Sequence, residues 1–196
     1  METRQFIVVM MVVLCSFPLV AQQEEHTHKY YFEVRPIPFL LNGYSLTAHY
    51  ATDDRSQLGF SVFGSTLSEG VNDLVWDIEG EIDLEARQDI ALGLSYRYFL
   101  SRKKGHKNWY AGVAIGYENY TLTNENFGDS FDWNFYFAAP RIGFFWYPFK
   151  TNLFLSTEAV LVIPLIKDDD VTFNSGASVT INGIIPAPVI GIGFRF

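Results

Sequence analysis

Bulky apolar side chains alternate with small or polar ones at every second position in several stretches of this chain. In the clearest stretch the bulky set is Ile90, Leu92, Leu94, Tyr96 and Tyr98. The residues between them include alanine, glycine and serine. A period of two is typical of a β-strand whose two faces meet different surroundings. The chain is therefore predicted to fold mainly as β-sheet.

The same alternation, bounded by turn residues, predicts eight strands. They are expected at 30–41, 44–52, 57–65, 89–99, 108–119, 134–147, 152–164 and 184–196. The first connection is expected to be a two-residue type I′ turn at Asn42 and Gly43. Later connections alternate between short ones and long ones at 66–88, 120–133 and 165–183. This layout predicts an all-β fold over residues 30–196, an eight-stranded antiparallel up-and-down transmembrane β-barrel.

Prolines interrupt the two strands that would close this barrel. Pro36 and Pro38 lie in the first predicted strand, and Pro186 and Pro188 lie in the last. Proline has no backbone N–H to donate to a neighbouring strand. Weakened pairing is therefore predicted at the seam between the first and the last strand.

A soluble eight-stranded barrel is the main alternative, with apolar side chains inside and charged ones outside. Here the face opposite the bulky residues is mostly Gly, Ala and Ser, and only 18% of the chain is charged. Small side chains suit a narrow interior, whereas bulky ones suit lipid. Aromatic residues near predicted strand ends suit the membrane interfaces. These are Tyr44, Tyr50, Tyr96, Tyr98, Trp109, Tyr117, Trp146 and Tyr147.

The N-terminus has the pattern of a secretory signal peptide. Arg4 supplies a positive charge, residues 6–14 form an apolar core, and Ala21 offers a small residue before the cleavage point. Residues 1–21 are therefore predicted to be removed, and 22–29 to form an N-terminal extension. Cys15, the single cysteine, would leave with the signal.

The whole layout resembles the small eight-stranded outer-membrane barrels, the group of the OmpA membrane domain, OmpX and OmpW. The chain also ends in phenylalanine with apolar residues at alternate positions, which is similar to the C-terminal signal of such proteins. The residues concerned are Ile190, Ile192, Phe194 and Phe196. The resemblance implies the outer membrane of a Gram-negative cell, contact with lipopolysaccharide, and recognition of this segment by the barrel-assembly machinery.

Eight ionisable residues fall on the predicted inner face. They are Glu33, Arg35, His49, Arg97, Glu118, Arg141, Glu158 and Arg195. Charges removed from water must be paired, and eight strands leave an interior that side chains just fill. The sequence therefore predicts a polar lumen network that closes the barrel to ions. The alternative is a narrow pathway for small solutes, as proposed for some OmpW-like proteins.

No catalytic, metal or cofactor residue is predicted. A lipid-modifying enzyme would need a serine hydrogen-bonded to an oriented histidine. Only His49, with Ser45 and Thr47 on its own face, resembles such an arrangement. His26 and His28 are expected in a solvated extension.

The long connections are markedly acidic. The stretch 66–89 contains Glu69, Asp73, Asp77, Glu79, Glu81, Asp83, Glu85 and Asp89, and Asp168 to Asp170 lie in the last long connection. Such runs are usually solvated, although their oxygens could gather divalent cations that bridge to lipopolysaccharide phosphates. Apolar residues in the long connection 66–88 are expected to offer surface contacts, namely Leu74, Val75, Trp76 and Ile78. The formal charge of −8 argues against nucleic acid as a partner. A structural or surface-interaction role is predicted.

Overall fold

The computed structural model describes residues 29–100, 107–124, 126–148 and 151–196. The predicted signal at 1–21 and most of the extension, with His26 and His28, lie outside the described residues. Among the described residues, no helix has the length and apolar character needed to cross a membrane.

Eight antiparallel strands form a closed barrel, as predicted. They are β1 (Tyr30–Val34), β2 (Tyr44–Ala51), β3 (Ser56–Thr66), β5 (Leu84–Phe99), β6 (Lys107–Asn124), β7 (Asp129–Trp146), β8 (Leu153–Lys167) and β11 (Ile185–Arg195). Each strand pairs with the barrel strands before and after it in the chain, and β11 pairs with β1 to close the ring. The up-and-down order predicted from hairpin spacing is confirmed.

The long connections fold into a second unit, which the sequence analysis had left as loops. It consists of α2 (Glu69–Val75), β4 (Trp76–Glu79), β9 (Val171–Thr172) and β10 (Ser178–Ile181). Strand β10 pairs with both β4 and β9 to make a three-stranded sheet. We call this unit the cap, because its buried residues share one apolar core with inward-facing residues of the barrel strands.

The predicted orientation of the faces is also confirmed. Leu94 and Ile115 on the bulky face are 58% and 57% exposed, whereas Ala91 and Tyr110 on the opposite face are fully buried. An outer surface of this kind suits hydrocarbon, and a small-residue inner face lets eight strands converge. Tyr147 is the exception among the predicted interface aromatics, because its ring is buried inside the barrel.

The first strand is shorter than predicted. Strand β1 ends at Val34, and α1 (Pro36–Leu40) follows in place of further strand. Proline suits the first turn of a helix, where its missing N–H has no helical partner to lose. The predicted type I′ turn is wrong as well. Asn42 has a φ of 55°, but Gly43 has no positive φ, and its N–H donates to the carbonyl of Pro38 at 2.7 Å.

The seam is short, in line with the proline pattern. Strand β1 pairs with β11 only from Tyr31 opposite Arg195 to Val34 opposite Ile192. Strand β11 continues to Ile185 along β8. Within the described residues, the stretch 185–191 therefore has a strand partner on one side only.

Candidate functional site

Arg97 lies at the centre of the barrel interior, and its side chain is completely excluded from solvent. Its Nη1 is 3.3 Å from Oε2 of Glu33, and its Nη2 donates to Oε1 of Glu158. The guanidinium also lies over the rings of Tyr110 and Phe145, at 5.0 and 5.3 Å from their centroids. One cation is thus held by two carboxylates and two aromatic faces.

Further hydrogen-bond donors contact the carboxylates of Glu33 and Glu158. Tyr110 donates its hydroxyl to Oε1 of Glu158 at 2.7 Å, and Arg141 donates Nη1 to Oε2 at 3.1 Å. Ser156 donates to Oε1 of Glu33 at 3.0 Å. A buried carboxylate needs such partners, because desolvation is costly when it is left unpaired. We call Glu33, Arg97, Arg141, Glu158 and these donors the ion network.

Glycines make room for this network. A Cβ at Gly191 would meet the carboxylate of Glu33 and the hydroxyl of Ser156, and a Cβ at Gly143 would meet the ring of Tyr110. Both glycines face inward at positions where a neighbouring strand projects a larger polar or aromatic group. The small residues of the alternating pattern are therefore what allows charged groups to meet near the barrel axis.

His49 lies beside the ion network but is not hydrogen-bonded within it. Its Nε2 is 3.9 Å from Oε2 of Glu33, and within the described part of the chain neither ring nitrogen has a hydrogen-bond partner. The hydroxyls of Ser45 and Thr47 also lack partners there. The structure brings the three side chains to one face of β2 without a Ser–His hydrogen bond.

The remaining predicted lumen residues lie apart from the ion network. Glu118 accepts hydrogen bonds on Oε2 from Gln88 and from Tyr120, each at 2.7 Å. The guanidinium of Arg35 lies 5.5 Å from the ring centroid of Phe63, and that of Arg195 lies 4.3 Å from the ring centroid of Tyr147. The interior thus holds one central network and separate polar groups at either end.

An aromatic layer fills the barrel on the side of the chain termini. Phe99, Tyr110, Phe145, Tyr147 and Phe154 form one buried cluster. The rings of Phe145 and Phe154 stack with their centroids 4.8 Å apart. Phe99 and Tyr110 have the same phase as the predicted inner-face residues Arg97 and Glu118, but the sequence predicted no aromatic contact to the ion network. Their inward phase was the available signal.

A cavity of about 370 Å³ lies between the ion network and the cap. Its walls include Phe63, Ala139, Val160 and Val189, with Arg35 as one of its few charged groups. This volume is near the lower end of the range for small-molecule sites, roughly 300 to 1,000 Å³.

The cap differs from the expectation of exposed apolar contacts. Val75 and Trp76 are buried, at 6% and 2% exposure, and Trp76 contacts Tyr120 and Trp133 edge to face. Of the predicted contact residues only Leu74 is exposed. The carboxylates of the cap point to solvent. Among the described residues, no three His, Cys, Asp or Glu side chains come close enough to hold a metal ion.

Comparison with solved structures shows which fold this is. The N-terminal β-barrel domain of Pseudomonas aeruginosa OprF superposes with a TM-score of 0.55 at 14% identity, over 86% of this chain and 98% of that one. Neisserial surface protein A gives a TM-score of 0.56 at 9% identity, over 85% and 97%. A major outer membrane protein of Thermus thermophilus gives 0.51 at 15% identity, over 87% and 100%.

The fold is that of the small outer-membrane β-barrels. No protein-family model matches the sequence, and no curated protein matches it either. The apolar outer wall of the barrel is of the kind that meets lipid in such folds.

Proposed function

We propose that this chain is a structural protein of the outer membrane, a barrel closed to ions that presents a folded acidic cap at the cell surface. The buried ion network carries the proposal. Arg97, Glu33 and Glu158 reach across the lumen with side chains that have no contact with solvent. Moving a hydrated ion through this point would require breaking paired buried charges, which is costly.

The aromatic layer supports the same reading. Phe145 and Phe154 are fully buried and stack in the half of the barrel that holds the chain termini. A continuous aqueous path would have to pass both these rings and the ion network. This is the argument against the alternative of a solute pathway.

The cap supports a role in surface contact. Its exposed side chains include Asp73, Asp77 and Glu79, and its apolar groups other than Leu74 pack inward. A negatively charged surface would bind anionic lipopolysaccharide through bridging divalent cations, because the cations neutralise the charge on both partners. We also propose that the barrel-assembly machinery recognises the C-terminal residues Phe194 and Phe196.

Conductance in planar bilayers tests the closed interior. The purified, refolded protein is expected to give no sustained current steps, whereas Arg97→Ala combined with Phe145→Ala removes a charge and a ring and is expected to give brief openings. Heat-modifiable migration on gels checks that both proteins are folded. Steady single-channel steps from the unaltered protein would contradict the proposal and favour the solute pathway.

A non-enzymatic role is part of the proposal, supported by the absence of a serine partner for His49 among the described residues. Expression of the protein and of His49→Ala is expected to leave the lipopolysaccharide of the host identical by mass spectrometry. A modification that appears with the unaltered protein and disappears with the variant would contradict this part.

A further inference from the structure

The cavity above the ion network is open through the wall of the barrel. It is lined by Ala187 and Val189, which face inward on β11, and also by Pro186, Pro188 and Ile190, which lie on the outward face of the same strand. On barrel strands β3, β5, β6, β7 and β8 the lining residues are all on the inward face, so the outward-facing residues of β11 mark the place where the cavity leaves the interior. The cavity therefore extends past the edge of β11 to the outer surface.

The edge of β11 is free at this height because β1 ends early. Beyond Val34 the chain turns into α1, and α1 residues Ile37 and Pro38 form the other side of the opening. Strand β11 stays paired with β8 from Ile185 to Phe194 without a register shift. The opening thus lies between α1 and β11.

The prolines of β11 suit this unpaired edge. Arg195 donates its N–H to Asn152, before β8, and Phe196 donates to Tyr30 of β1. Backbone N–H groups point to alternate sides along a strand, so those of the even-numbered residues in β11 point toward the β1 side. Pro186 and Pro188 occupy two of these positions. Their missing donors are the ones that would have pointed into the opening. An unpaired N–H in hydrocarbon is costly, so proline here permits an edge without a strand partner.

The opening lies at the height of the lipid chains. Pro188 precedes Arg195 by seven residues in β11. At a rise of ~3.3 Å per residue and a strand tilt of ~40°, this puts it about 18 Å from the end where the termini lie, within a ~25 Å apolar band. Short turns mark that end as periplasmic, so the opening faces the outer leaflet.

Arg35 and Arg141 are the two arginines that line this cavity, and Arg141 is already paired with Glu158. Among the residues that the structure describes, no carboxylate forms an ion pair with Arg35, and its Nε has no hydrogen-bond partner. The carboxylate of Glu118, which also lines the cavity, attracts Arg35 through space without forming an ion pair, and its Oε2 accepts hydrogen bonds from Gln88 and Tyr120. A half-buried arginine on an apolar cavity is a site for an anionic group that also carries apolar surface.

We propose that this cavity binds one single-chain anionic amphiphile of the fatty-acid type, which enters sideways from the outer leaflet between α1 and β11. The chain lies against Phe63, Ala139 and Val160, and the head group pairs with Arg35. A volume of about 370 Å³ suits one chain, not a lipid with several. The site goes beyond the proposed structural role, since a sideways pocket needs no path for ions.

Equilibrium binding of radiolabelled dodecanoate to the refolded full chain in octyl glucoside tests the site. Saturable binding of one dodecanoate per barrel is expected. Arg35→Gln is expected to weaken it about tenfold, the loss of one charge-assisted contact. Arg87→Gln, which removes an exposed arginine paired with Asp89, is the matched control and is expected to change nothing.

Ala139→Phe tests whether the chain lies in the cavity, because it adds a ring to an inward wall. It is expected to abolish binding of dodecanoate and of uncharged dodecanol. Ala111→Phe, on the exposed outer face of β6, is its control. Retained heat-modifiable migration shows that each variant folds. Equal dodecanoate binding by Ala139→Phe and the unaltered protein, or no saturable binding at all, would overturn the proposal. An unchanged affinity for Arg35→Gln would overturn the head-group assignment.

Discussion

Arg97 and Glu33 meet across the barrel interior with Nη1 and Oε2 3.3 Å apart, although 64 residues separate them in the chain. Arg97 belongs to β5, the long strand of one wall, and Glu33 to β1, the short strand at the seam. Strand β1 has few backbone partners on β11, so this ion pair is a further attachment that holds it in the ring.

Replacing Glu33 is therefore expected to destabilise the barrel. Glu33→Gln keeps the shape of the side chain but leaves Arg97 with one carboxylate, and breaking a buried pair costs roughly 3 kcal/mol. Urea unfolding of the refolded protein, followed by tryptophan fluorescence, measures the change. Glu85→Gln removes an exposed carboxylate from β5 and is expected to stay within about 0.5 kcal/mol of the unaltered protein. Equal stability of the two variants would show that the pair does not hold the seam.

Gly143→Ala is expected to disturb the ion network from the opposite wall. The added Cβ would meet the ring and hydroxyl of Tyr110, which donates to Glu158. Overpacking at such a site costs about 1 to 3 kcal/mol, measured by the same unfolding experiment. Gly70→Ala, in α2, is the control, because no atom lies within 4 Å of the added Cβ. A loss of stability in the control and none in Gly143→Ala would contradict the packing described here.

The C-terminal phenylalanine is expected to matter for assembly more than for stability. The ring of Phe196 lies 4.9 Å from that of Phe194, centroid to centroid, and 47% of its side chain is exposed. Phe196→Ala should lower the amount of protein in the outer membrane of expressing cells, while the purified chain still refolds in detergent. Phe127→Ala, at an exposed turn, is the control. Equal amounts of both variants in the membrane would count against recognition of this end.

Strand phase could be predicted from the sequence because the alternation of side chains along a strand is a property of the covalent backbone. Leu94 and Ala91 were placed on the correct faces for this reason alone. Partners could not be predicted in the same way. Arg97 could have met any of several inward carboxylates, and the choice of Glu33 and Glu158 depends on the stagger of eight strands around the ring.

The end of β1 could not be predicted because its prolines fit two structures. Pro36 and Pro38 suit an interrupted edge strand, and Pro36 equally suits the first turn of a helix. The outcome depends on contacts with β2, β3 and β11 that local sequence does not encode. The cap was missed for a related reason, since β9 has only two residues and β10 four, too few for a periodic signal.

Trp76 is expected to decide whether the cap folds onto the barrel. Its ring meets Tyr120 and Trp133 edge to face at 5.2 and 5.1 Å, so it joins β4 to two barrel strands. Trp76→Ala removes a buried indole, a loss of about 3 to 5 kcal/mol where the site does not collapse. The indole is the largest buried side chain of the cap, next to the smaller buried groups Val171, Val179 and Ile181, so its loss is expected to open the cap while the barrel stays folded.

Limited digestion with a glutamyl endopeptidase measures this opening, because Glu79 ends β4 of the cap and Glu81 follows it directly. Cleavage there is expected to be much faster in Trp76→Ala than in the unaltered protein, with the heat-modifiable migration of the uncut barrel preserved. Leu74→Ala, whose side chain is 40% exposed, is the control and should be cut at the original rate. If Trp76→Ala is also cut at that rate, the indole does not hold the cap, and the pairing of β10 with β4 and β9 together with the other buried apolar residues is sufficient to keep it folded.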